Sequence, residues 1–113
     1  MDQTKTKTTL DQQLIEEIVR RVRTVTEPDK IVLFGSAASG DMTPDSDIDI
    51  LIVERHPEDP WLESTRVDEA LGGLDYPFDV IVIERDWFEA SKDVIGGIAY
   101  PVHKYGRGIY EAA

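Results

Sequence analysis

The chain has 113 residues, with twelve Lys plus Arg against twenty-three Asp plus Glu, for a net charge of −11 and 41% hydrophobic residues. That balance describes one folded domain with a single core, and it argues against a chain that coats nucleic acid non-specifically, so no direct nucleic-acid binding is expected. Cysteine is absent, which removes disulfides, thiolate metal sites and thiol nucleophiles from consideration.

Residues 1–9 are polar and Thr/Lys-rich, and read as a flexible tail without the apolar stretch of a secretory signal. No apolar run approaches the ~20 residues that span a bilayer, so neither a membrane nor export is expected and the cytoplasm is the default. Thr9 with Gln12 fits a capping box ahead of a helix. Its apolar stripe is Leu10, Leu14, Ile15, Ile18, Val19, Val22 and Val25, with Glu16/Arg20 and Glu17/Arg21 as i,i+4 pairs opposite. Pro28 ends that helix. Ile31–Phe34 is a short continuous apolar run, the mark of a buried strand, and it stops at Gly35-Ser36.

A turn-rich stretch from Ser39 to Ser46 leads to a second strand, Asp47–Val53. Asp59-Pro60 then supplies an N-cap and a first-turn proline for a helix with Val67, Ala70, Leu71 and Leu74 inward, closed by Gly72-Gly73. Pro77 introduces a third strand, Phe78–Ile83, and Asp86-Trp87-Phe88 opens a short helical turn. From Asp93 the positions Val94, Ile95, Ile98, Ala99 and Val102 predict another helix, kinked at Pro101 and ended by Gly106. Gly108-Ile109-Tyr110 is expected as an edge strand. The order predicts an α/β (α+β) domain over residues 10–113, with helices packed on a small mixed β-sheet.

Three carboxylates sit where strands should be buried. Side chains two apart on a strand share a face, so Asp47 and Asp49 point the same way with Cα atoms ~6.5–7 Å apart, while Ile48, Ile50 and Ile52 line the other face. Two such carboxylates repel unless something positive lies between them, and a hard cation such as Mg²⁺ meets that need while leaving room for phosphate oxygens. Asp79 is the odd residue of the apolar strand Phe78–Ile83; if that strand lies beside Asp47–Val53, it faces the same pair. Gly35 allows a sharp turn and close approach to a ligand, and Ser36 with the N–H groups after it can hold phosphate oxygens. Phosphoryl-type transfer asks for little beyond such positioning and charge neutralisation.

Gly35-Ser36, ten residues, then Asp47-Ile48-Asp49, with Asp79 behind, resembles the signature of the DNA polymerase beta-like nucleotidyltransferase superfamily. The nearest match is its small prokaryotic group of minimal nucleotidyltransferases, and the resemblance runs through to the closing Tyr105–Glu111 segment. It implies the polymerase beta-like fold and Mg²⁺-dependent transfer of AMP from ATP, or another nucleoside triphosphate, to a hydroxyl, releasing pyrophosphate. By that analogy Gly35 and Ser36 hold the triphosphate, Asp47 and Asp49 bind two Mg²⁺ ions, and Asp79 joins the ion that activates the hydroxyl. Many members carry arginines after Gly-Ser, where this chain has Ala37-Ala38-Ser39; help for the triphosphate would then come from Lys30, Arg55 or a partner.

Relatives that act on antibiotics or RNA carry an added acceptor-binding domain, for which 113 residues leave no room. The resemblance therefore implies a partner protein as acceptor: a small helical HEPN-family toxin, silenced by AMP on a tyrosine, with this chain as antitoxin in a homodimer or heterocomplex. A non-catalytic antitoxin of the same fold, and transfer to a small molecule such as an aminoglycoside, are the alternatives. His56 and His103 lack metal-ligand spacing, Trp61, Trp87 and Phe88 read as core or partner-facing aromatics, and Tyr100, Tyr105 and Tyr110 as packing. Asp45 and Glu54 are expected to face solvent.

Overall fold

In the computed structural model, which describes residues 10–113, helix α1 spans Gln12–Val25 and buries Ile15, Ile18 and Val22 along its 3.6-residue stripe. Its N-cap is Asp11, whose carboxylate accepts from the Leu14 N–H at 2.8 Å. A carboxylate adjacent to the first turn does what was expected of the Thr9 capping box; Thr9, with the expected tail 1–9, lies outside the described residues. On the outer face Arg20 and Arg21 converge on Glu17 instead of forming two separate pairs, and Glu16 accepts from Gln12. Arg21 also donates to the carbonyls of Ala70 and Gly72, tying α1 to the helix packed beside it.

The remaining elements are β1 (Lys30–Phe34), α2 (Ser36–Ser39), β2 (Ile48–Glu54), α3 (Pro60–Ala70), β3 (Phe78–Glu84), α4 (Arg85–Ser91), α5 (Ala99–Tyr105) and β4 (Arg107–Glu111). The strands form one mixed sheet in the order β3-β2-β1-β4, with β1 antiparallel to β2 and β4 and β2 parallel to β3. A parallel pair needs a crossover, and α3 provides it. Asp59 caps α3 by accepting the Leu62 N–H at 3.1 Å, and Pro60 stands in the first turn, where its missing N–H costs nothing. Asp59→Ala should therefore lower stability by about 1 kcal/mol. A urea midpoint unmoved by the substitution would contradict that capping role.

The helix expected from Asp93 forms only in its second half. Residues 93–98 are turns that include Gly96 and Gly97, and α5 begins at Ala99. Pro101 thus falls in a first turn, where it breaks no intrahelical bond and requires no kink. Each face of the sheet has its own core. Ile31, Leu33, Ile48, Ile50, Ile52 and Val82 pack against α1 and α3; Val32, Leu51 and Val53 pack against Phe88, Ala99 and Val102 of α4 and α5. Of the aromatics, Phe88 is buried and Tyr110 packs against the larger core, whereas Trp61, Trp87 and Tyr105 are exposed, so Tyr105 has no packing role. Among the described residues no helix is long and apolar enough to cross a membrane.

Candidate active site

The strand register stacks the second face of the sheet in rows. Ile83, Val53 and Lys30 form one row, Ile81, Leu51 and Val32 the next, and Asp79, Asp49 and Phe34 the last. Asp49 and Asp79 are thus direct neighbours on adjacent parallel strands, roughly 4.8 Å apart in backbone spacing. The Ile48 N–H donates to the Pro77 carbonyl at 2.9 Å, which locks the register at the entrance of both strands. Asp47 lies one residue ahead of β2, outside the strand that was expected to include it.

The connection that delivers Asp47 is well anchored despite its turn-rich sequence. Met42 is fully buried in the larger core, and Thr43 and Ser46 close a turn through the Ser46 N–H to Thr43 carbonyl bond and the Thr43 N–H to Ser46 Oγ bond. Met42 anchors the connection ahead of Asp47, and its one signal in the sequence is an apolar side chain amid polar turn residues.

Asp49 is half-buried, while Asp47 and Asp79 are exposed. Burial first, then the negative charges of Asp79 and Asp47, push the Asp49 carboxyl up from its ordinary value. The three acids therefore feel one another. An all-oxygen set of this kind suits a hard divalent cation, which would remove the repulsion. Among the described residues no group of three or more His, Cys, Asp or Glu side chains is arranged, as it stands, to hold a metal ion. An open acidic wall fits Mg²⁺, which commonly keeps several waters and phosphate oxygens among its ligands.

Opposite the acids, Gly35 turns the chain at φ 63° and ψ −145°, a conformation essentially confined to glycine. A Cβ there would lie 2.5 Å from Asp49 Oδ2, so the bare backbone abuts the carboxylate. α2 starts directly after it, with the Gly35 carbonyl accepting from Ala38 and Ser39. Ala37 is buried in the larger core and holds the turn down, and Ser39 donates to Asp41 at 3.1 Å. Neither residue brings positive charge.

Lys30 and Arg55 do not make up for this. Lys30 is two rows from Asp49, about 13 Å along the strand, with its Nζ over the Phe88 ring and 3.9 Å from Glu89. Arg55 follows the far end of β2 and faces Asp29 at 3.7 Å. Asp45 is exposed as expected, but Glu54 is buried, because the even-numbered face of β2 that carries Ile48, Ile50 and Ile52 stays covered to the strand's last residue.

Residues 12–100 match the family model described as a nucleotidyltransferase domain. The chain belongs to the nucleotidyltransferase domain family. Its fold is similar to a toxin–antitoxin complex solved with AMP-PNP, at 20% identity and TM-score 0.64, over 87% of this chain and 73% of that one. It is similar also to the toxin–antitoxin MntA–HepT, at 19% identity and TM-score 0.58, over 90% and 74% of the two chains. A protein from Sulfolobus solfataricus, described as a nucleotidyltransferase, shares 31% identity at TM-score 0.53, over 72% of this chain and 73% of that one. No curated protein matches. The match confirms the expected α+β nucleotidyltransferase fold, and the acid-bearing strands β2 and β3 both fall inside the matched part of the domain.

Proposed function

We propose that this nucleotidyltransferase domain moves AMP from ATP to a tyrosine hydroxyl of a partner protein, and that it thereby acts as antitoxin to a small helical HEPN-type toxin in the cytoplasm. The observation that carries the reading is the register that sets Asp49 beside Asp79, with the Gly35 turn against the Asp49 carboxylate. Similarity in fold to toxin–antitoxin complexes, one of them solved with AMP-PNP, supports the choice of partner and nucleotide.

In this reading Gly35, Ser36 and the N–H groups after them bind the triphosphate, and Asp47, Asp49 and Asp79 hold two Mg²⁺ ions. Bound there, the ions supply charge neutralisation for the phosphates and the incoming oxygen. The acceptor hydroxyl oxygen forms a bond to the α-phosphorus, the bond from that phosphorus to the bridging oxygen breaks, and pyrophosphate leaves. Asp79, on the side of β2 away from the Gly35 turn, orients the hydroxyl and takes its proton. The acidic surface, at a net charge of −11, suits a basic RNA-handling partner.

Intact mass of the co-expressed partner should show whole-number additions of adenylate that require ATP and Mg²⁺. Label transfer from α-labelled ATP that is unaffected by Asp47→Asn would refute the assignment. The absence of charge at Ala37 and Ser39, with Lys30 and Arg55 far from the turn, favours one rival: a non-catalytic antitoxin that keeps the fold for contacts. Toxin neutralisation that persists without ATP in an Asp47→Ala/Asp49→Ala double variant would select it.

A further inference from the structure

Glu54 closes β2 at the end of the strand away from Asp49, and it plays no part in the reaction proposed above. At 6% exposure it is the one buried polar side chain among the described residues, and its Oε2 has no hydrogen-bond partner. Among the described residues no Lys or Arg forms an ion pair with it. Arg55, next in the chain, turns to Asp29, which also takes Arg85 at 3.3 Å. Glu84 is its register neighbour on β3 and is exposed. Glu54 itself lines a 790 Å³ cavity with Arg23, Glu27 and His56, none of which bonds to it among the described residues.

What does face Glu54 is another carboxylate, Glu63 from the first turns of α3, with the Thr26 hydroxyl from the C-cap of α1 close to both. Glu63 is already committed as an acceptor. Its Oε1 receives the Thr26 hydroxyl at 3.4 Å and its Oε2 receives the Glu58 N–H at 3.0 Å. Two carboxylates that face each other, one of them buried and with no ion pair among the described residues, repel when both are ionised. A proton between them resolves the conflict.

We infer that Glu54 and Glu63 share one proton, with the Glu54 O–H donating to Glu63, and that this acid–carboxylate clasp fastens β2 to α3 and the end of α1 and loosens as the medium turns alkaline. Burial first, then Glu63, pushes the Glu54 carboxyl up to about 7, with Thr26 pulling the other way. An acid whose folded value lies above its unfolded value of 4.5 gives full stability below 4.5 and loses it progressively up to about 7. The clasp is therefore strongest in acid, opposite to an ordinary salt-bridged carboxylate.

Glu54→Gln tests this, because the Gln amide can donate to Glu63 at every pH as the protonated acid does. The variant and the native protein should share one denaturation midpoint near pH 4.5, and the variant's should rise above the native one at pH 8.5. A gap that stays constant between those pH values overturns the inference. Carboxyl ¹³C titration of the native protein reads the same group without a substitution: Glu54 should titrate near 7, and titration below 5 overturns the shared proton. In Glu63→Gln the Glu54 titration should shift downward, since the neighbouring negative charge is gone; an unmoved titration also counts against the clasp.

Discussion

Asp49→Asn should reduce nucleotidyl transfer by roughly 100-fold or more, the scale of removing one charge-stabilising group, while raising the thermal midpoint of the metal-free protein. The two effects have one cause. Asp49 is half-buried between Phe34 and Asp79, and its ionised form suffers both desolvation and the repulsion of Asp79 and Asp47. Asn keeps the shape and removes the charge. Since folding raises the carboxyl's value, the native protein gains stability as pH falls and the group becomes neutral, so the advantage of Asn should be present at pH 7 and shrink in acid. Added Mg²⁺ should raise the native midpoint by binding the folded state, and raise that of Asp49→Asn much less. A variant that transfers AMP normally, or one that melts lower than native without metal at pH 7, would count against the acidic wall as described.

Gly35→Ala should cost stability and activity together. The backbone there is nearly glycine-only, which costs a residue with a side chain about 1–3 kcal/mol. The added methyl also runs into Asp49 Oδ2, so the turn and the carboxylate must separate. Transfer should fall roughly 100-fold, since a displacement of about 1 Å at reacting groups is enough for that loss. A urea midpoint measured in a double-mutant cycle separates the causes. In an Asp49→Ala background the clash is gone and only the backbone strain remains, so Gly35→Ala should cost less there. Equal costs in both backgrounds would show that the two groups do not touch.

Much of this was written plainly in the chain. β1 announced itself by a continuous apolar run and β2 and β3 by apolar runs broken only at Asp49 and Asp79, and Asp59-Pro60 fixed the start of α3 because cap and first-turn proline are local effects. The pairing of Asp49 with Asp79 followed from alternation within each strand plus the adjacency of β2 and β3. Local pattern failed where tertiary context decided. Val94 and Ile95 kept helical spacing with Ile98 and Val102, yet Gly96-Gly97 interrupt the helix and leave both apolar residues exposed. Glu54 looked like a charged strand end, and only the tertiary packing over the last residue of β2 shows that it is buried. Lys30 was legible as a nearby cation in sequence, but an antiparallel register sends it to the opposite end of the sheet.

The row-by-row layering of the second face has a consequence for how such a domain can change. Leu51, Val53, Val32 and Phe88 hold α4 and α5 in place, while the acids sit in a terminal row that contributes repulsion instead of adhesion. Chemistry is thus detachable from architecture: a lineage can discard its carboxylates, become sturdier on losing the half-buried Asp49, and keep both packed cores intact.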